Sequence, residues 1–262
     1  MITQSMKLTV ADGIARLILT EAARGNPIDG RFCDEISAIA IELSCRPDVR
    51  VVLITAEGKA FSYGGDIAQF VENLDALPGL IKGWTATINS AVARLQRMDA
   101  PIIVAVHGVC AGGMTGFIAG SDIVLASEAA AFVSAYAGIG FSCDASSSVT
   151  LTRRMGVAKA RHFLLTNATL TAAQALAAGL ADEVLPPDQL RARAEALAAK
   201  LAAGPTKAYG EIRRLLLSVS DTPLETQLEF EAQALSRVAG TQDAREGLRA
   251  FAEKRKAKFV GA

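Results

Sequence analysis

AVHGVCAGGMTGFIAGSDIVLAS, residues 105–127, decides how the rest of the chain is read. A short β-branched run, IIVAV, feeds a glycine-rich turn that opens into a helix-like segment, and IVLAS then restarts a strand. The first N–H groups of a helix have no acceptor inside it. GKAFSYGGDI, residues 58–67, repeats this arrangement after the strand VVLITA. Two such loops can aim two backbone donors at one oxygen, which is the anatomy of an oxyanion hole for charge developing on a carbonyl. Taken singly, either motif more often marks only a helix packed closely on a sheet.

Outward from these loops, the first two-thirds of the chain alternates strand patterns with helical ones. MKLTV and IARLILT flank Ala11-Asp12-Gly13 as a hairpin. Residues 31–44 carry apolar side chains at helical spacing, VVLITA reads as a buried strand, 80–98 as an amphipathic helix, and Pro101 restarts a strand. IVLAS and AAFVSA predict two more. This order predicts an α/β fold with helices covering a mostly parallel sheet. After Gly156 the pattern turns helical, over 157–166, 171–178, 188–203, 206–218 and 224–238. Thr171 reads as an N-cap, while Pro187-Asp188 and Pro205-Thr206 open later helices. With no low-complexity linker or repeat, the tail reads as a helical layer of the same unit, 196–262, on a core of residues 1–195.

Composition excludes several classes. Among 262 residues, Lys plus Arg equals Asp plus Glu at 27 each, so no field draws the chain to nucleic acid. Apolar runs break well short of the roughly 18 residues a membrane span needs, and the first residues lack the order of a signal peptide. The expected location is the cytoplasm. Cys33, Cys45, Cys110 and Cys143 are scattered and read as reduced thiols, with Cys110 and Cys143 as small buried fillers. Neither His107 nor His162 has a partner at ligand spacing, so no metal is expected. His107 reads as a residue that fixes its loop.

FSYGGD and the strand-AVHGVCAGG unit, in this order and followed by SDIVLAS, resemble the crotonase superfamily, the enoyl-CoA hydratase/isomerase family, over about residues 6–259. The resemblance implies a spiral core of ββα units and a helical C-terminal region that builds a homotrimer or a dimer of trimers. It implies an acyl-CoA substrate, with coenzyme A as part of that substrate and no separate cofactor. The N–H groups of Gly65 and Gly113 would hold the thioester oxygen.

Hydratases of this family use two glutamates, at the places occupied here by Gly116 and Tyr136. Isomerases of the family, and its chlorobenzoyl-CoA dehalogenases, carry an aspartate where this chain has Asp144, inside AYAGIGFSCDASSS. In the first it shuttles a proton; in the second it attacks the aromatic ring. The dehalogenases also depend on a His and a Trp, where Asn89 and Tyr136 stand here, which favours the isomerase. Read locally, Asp144 is equally a helix cap. A chain without both glutamates is also what a weak acyl-CoA binder would show.

For the rest of the substrate, the resemblance places the coenzyme A nucleotide near Arg24 and along the backbone of residues 60–67, which includes Ala60, Ser62, Tyr63, Asp66 and Ile67. It makes FAEKRKAKF a terminal helix whose Lys254 reaches the phosphates. The competing reading of that basic run is a solvated helix end. Trp84, on the amphipathic helix, is a candidate for the acyl tunnel as well as for core packing, and Tyr136 for contact with a flat acyl group.

Overall fold

The computed structural model describes residues 3–262. β1 (Met6–Ala11) and β2 (Ile14–Leu19) form the expected antiparallel hairpin, from Met6 opposite Leu19 to Ala11 opposite Ile14. Its turn residues Asp12 and Gly13 both take positive φ, 53° and 75°, the twist that suits a two-residue hairpin. α1 (Gly30–Ser44) is capped by Asp29, whose carboxylate accepts from the Phe32 N–H at 2.9 Å. Then come β3 (Val51–Ala56), α2 (Ile67–Glu72), α3 (Leu77–Arg97), β4 (Ile102–Val106), β5 (Val109–Ala111), α4 (Gly113–Ala119), β6 (Ile123–Ser127) and β7 (Ala131–Val133). The remaining elements are α5 (Ser147–Leu165), β8 (Thr169–Thr171), α6 (Ala172–Ala178), β9 (Glu183–Leu185), α7 (Pro187–Ala202), α8 (Thr206–Ser218), α9 (Leu224–Ala239) and α10 (Gln242–Ala252).

Six strands pair in the order β1-β2-β3-β4-β6-β9, parallel except for the first pair, and β5, β7 and β8 form a second sheet. The chain leaves the large sheet for the small one twice, from β4 to β5 and from β6 to β7. A helical segment follows each time, so the fold advances as a spiral of ββα turns.

Alternation along β3 divides the core. Val52 and Ile54 join the cluster built with α1 and α3, whereas Val51 and Leu53 face α7, meeting Leu190, Ala194 and Leu197. Phe32, wholly buried on α1, anchors the first cluster; truncating it to Ala costs about 3–5 kcal/mol.

Three expectations need correction. The helix bounded at 157–166 is longer than expected: α5 starts at Ser147, and Gly156 is a break within it (φ 76°, ψ 156°). The β-branched, polar SSSVTLT is held helical by tertiary contacts: Thr150 Oγ1 donates to the Gly116 carbonyl at 2.8 Å and Leu151 is fully buried. The 195/196 boundary falls inside α7, whose buried face belongs to the sheet, so the layer change comes after Ala202. Finally, EKRKAKF is not a helix. α10 ends at Ala252, Lys254 turns at φ 55°, and the tail is tied back by Asp243, which accepts from the Val260 and Gly261 N–H groups at 2.7 and 2.8 Å. Among the described residues no helix is long and apolar enough to cross a membrane.

Candidate active site

The loop after β3 and the turn after β5 are zipped together by main-chain bonds. Phe61 and Ser62 N–H donate to the Val109 carbonyl at 2.9 and 3.0 Å, and Ala111 N–H donates to the Ser62 carbonyl at 3.0 Å. Ser62 Oγ donates to the Asn26 carbonyl at 2.7 Å and accepts from Gly64 N–H at 3.1 Å. Gly64 has φ 85°, and a Cβ on it would lie 2.8 Å from the Ala111 carbonyl oxygen, so only glycine lets the loops approach this closely. His107 Nε2 bonds the Gly58 carbonyl at 2.9 Å and fixes the same loop from its other end. Gly65, next in the first loop, and Gly113, two residues after Ala111 in the second, each present an N–H with no acceptor among the described residues.

A third segment brings the carboxylate. After Asp144 the chain turns through two non-glycine residues at positive φ, Ala145 at 46° and Ser146 at 70°, a costly geometry of the kind found at functional sites. Asp144 Oδ1 stands 3.1 Å from where a Cβ on Gly113 would lie, and it accepts a hydrogen bond from the Tyr136 hydroxyl at 2.8 Å. Tyr136 also shares a hydrogen bond of 3.0 Å with Ser147 Oγ. The carboxylate does not cap α5: Ser146 is the N-cap, and Asp144 gives that turn only its main-chain carbonyl, 2.8 Å from Ser147 N. Burial raises the Asp144 pKa above the usual carboxylate range, and the Tyr136 hydrogen bond offsets part of the rise. Burial likewise raises the Tyr136 phenol, aided by the Asp144 charge, so it stays a donor.

These groups border one cavity of about 400 Å³. Gly65, Gly113, Tyr136 and Asp144 line its reactive side; Ile28, Ile88, Phe70, Trp84 and Phe141 make its apolar wall; Tyr63 and Ile67 stand exposed at its edge. Cys33 is also in the wall, but its thiol is pushed up to about 12, first by burial and then by the Asp29 and Asp34 charges, so it is no nucleophile at neutral pH.

The other expected contacts are placed elsewhere. Ala60 and Ser62 are buried beneath the loop with their side chains outside the cavity lining. Asp66 caps α2 by accepting from Gln69 N–H at 3.2 Å. Arg24 is held by Asp29, Asp66 and Glu21, and its pKa is raised by the Asp29 bond first. Lys254 lies exposed after α10, away from the cavity, and Asn89 is exposed on α3. Sequence reading missed Phe70 and Phe141, which no local pattern marks, and Asn167, whose φ of 50° follows the end of α5. Among the described residues no three His, Cys, Asp or Glu side chains are grouped to hold a metal ion.

Spiral core, paired glycine loops and a facing carboxylate define a thioester-binding enzyme of one family. Residues 9–262 match the profile of the family described as Enoyl-CoA hydratase/isomerase, and the chain belongs to it. It is 32% identical to the 1,2-epoxyphenylacetyl-CoA isomerase of Escherichia coli over 96% of this chain and 97% of that one. It is 29% identical to the trans-2-decenoyl-[acyl-carrier-protein] isomerase of Streptococcus mutans, over 96% of each. Among solved structures, an enoyl-CoA hydratase from Bacillus anthracis superposes with a TM-score of 0.91 at 25% identity, covering 99% of this chain and all of that one.

Proposed function

We propose that this enzyme moves a double bond along the acyl group of a coenzyme A thioester, with Asp144 as its single proton carrier and the Gly65 and Gly113 N–H groups as its oxyanion hole. The observation that carries the reading is the pairing of a desolvated Asp144 beside Gly113 with a closed position 116. A Cβ on Gly116 would lie 2.1 Å from Ser147 Oγ and 2.7 Å from the Ser147 main chain, so a hydratase glutamate has no room there. Relatives of similar identity carry isomerase and hydratase names alike, so the preference rests on Asp144 and position 116.

In a 3-enoyl thioester, Asp144 takes the proton from C2 and the C–H electron pair delocalises onto the thioester oxygen. Two preorganised N–H donors hold that charge. Asp144 returns the proton at C4 as the oxygen's electron pair re-forms the carbonyl, which leaves the double bond between C2 and C3. The proton and the electrons balance without a cofactor. Tyr136 holds Oδ1 and leaves Oδ2 for the substrate, and a carboxylate stripped of water is the stronger base. Coenzyme A would run out past Tyr63 and Ile67 along residues 60–67. Exposed Leu216, Leu224, Leu228, Leu248 and Phe251 on the C-terminal helices support a homotrimer or a dimer of trimers.

Asp144→Asn is the test. Double-bond migration in a 3-enoyl-CoA and deuterium exchange at C2 fall together by roughly 10²–10⁴, the scale of a lost general base. Undiminished migration would remove Asp144 from the mechanism. A covalent aryl adduct on Asp144 in the mass spectrum of the wild type would make it a nucleophile instead.

A further inference from the structure

We infer that Asn26 is a positioning residue for the Gly65 half of the oxyanion hole, holding the loop that carries this N–H by its carbonyl groups; this rests on the oxyanion reading above. Asn26 lies in the turn before α1 and is buried, with 3% of its surface exposed. Its Nδ2 donates to the Glu57 carbonyl at 2.9 Å and the Phe61 carbonyl at 3.1 Å, with the Ala60 carbonyl at 3.4 Å. Facing three carbonyls, the amide can present only its nitrogen. The Asn26 main-chain carbonyl continues the grip, since it accepts from Ser62 Oγ, which in turn accepts from Gly64 N–H. On either side, Tyr63 N–H donates to the Gly25 carbonyl at 3.0 Å and Ile28 N–H to the Gly64 carbonyl at 2.8 Å.

Residues 25–28 thus hold the loop from Glu57 through Gly64, and the next N–H is that of Gly65. A peptide unit is planar and trans, so fixing the Gly64 carbonyl on Ile28 aims the Gly65 N–H the opposite way. Asn26 ties the start of the same loop to the same segment, which keeps that peptide from swinging. Two features of Asn26 work against stability. Its φ is 51°, and its Oδ1 is buried with no hydrogen-bond partner among the described residues. A left-handed backbone and an orphaned buried acceptor are both costly, and neither helps to bury apolar surface. Glycine would take the same backbone with less strain, but it brings no donor. What the asparagine supplies is the pair of N–H groups that orders the loop.

Asn26→Gly in the full-length protein is the test, because glycine suits the positive φ and only the amide is lost. The readout is the infrared carbonyl band of bound hexanoyl-CoA, isotope-labelled at its thioester carbonyl, which moves to lower frequency as N–H donors polarise it. About half of the wild-type shift is expected to disappear, one donor of the two having lost its aim. On a 3-enoyl-CoA, kcat is expected to fall roughly 10- to 100-fold with KM within about threefold, the mark of a contact made in the transition state. A folded variant with the wild-type band overturns the inference whatever its Tm, and leaves Asn26 purely structural. If Asn26→Gly does not fold, Ser62→Ala decides, since it deletes the link from the Asn26 carbonyl to Gly64 N–H with little change in volume. Its band is expected to move in the same direction by less, and a wild-type band there overturns the inference equally. The two readings fail separately. A wild-type shift without deuterium exchange at C2 sinks the isomerase reading alone, and exchange with an unaltered band in the variants sinks this one alone.

Discussion

The two sides of the cavity are built on opposite plans. Gly65 and Gly113 offer main-chain donors, set by a ladder of backbone bonds between two loops, and no side chain contributes chemistry there. Asp144 is one side chain on a strained turn, tuned by burial and by one hydroxyl. The first arrangement fails when the backbone moves. The second shifts its titration when a single neighbouring atom is deleted.

Deleting a donor on the first side is expected to have an effect of the same order as deleting the base. Gly113→Pro removes the N–H at the first helical position, where proline fits the helix, and kcat falls by about 10²–10³ or more. Gly113→Ala is the control, since its Cβ meets neighbours at 3.1–3.3 Å and the N–H stays. Equal loss in both variants would mean that space, and not the donor, matters. On the second side, Asp144→Asn separates function from stability. Because the folded carboxyl has a raised pKa, its ionisation works against folding as pH rises from the ordinary value of about 3.9 through the raised one. The variant is therefore expected to melt no lower than wild type at pH 7, while its activity is lost; a drop in Tm would return Asp144 to a structural role.

Tyr136→Phe acts on the tuning alone. Without the hydrogen bond that lowers it, the Asp144 pKa rises further, so the acid limb of kcat/KM moves to higher pH and the plateau stays within about threefold. An unmoved limb would show that Tyr136 does not set the base. Ser147→Ala, which removes only the far partner of Tyr136, gives the smallest change, within about twofold on the plateau.

The same contrast explains what was legible in the sequence. Backbone devices advertise themselves locally: FSYGGD and AVHGVCAGG each put β-branched residues, glycines and a helix start in one short window. Asp144 stood out as a lone carboxylate among apolar residues, but its partner Tyr136 and its distance from Gly113 are products of the fold. The stacked wall of Phe70, Trp84 and Phe141 draws on three segments and leaves no periodic trace. The helix begins at Ser147 and not at 157 because its β-branched, polar start is stabilised by contacts with α4, which local propensity does not show. The terminal helix implied by the resemblance ends early because the chain turns at Lys254 and Asp243 grips the tail, neither of which is visible in FAEKRKAKF itself.

Gly116 and Ser147 bear on how such chemistry can change hands over time. With the Ser147 nitrogen and Cα only 2.7 Å from where any Cβ at 116 would sit, even alanine there forces the start of α5 to retreat. That start is also the turn that carries Asp144. Acquiring a carboxylate at position 116 and keeping the one at 144 are thus competing demands on the same few atoms.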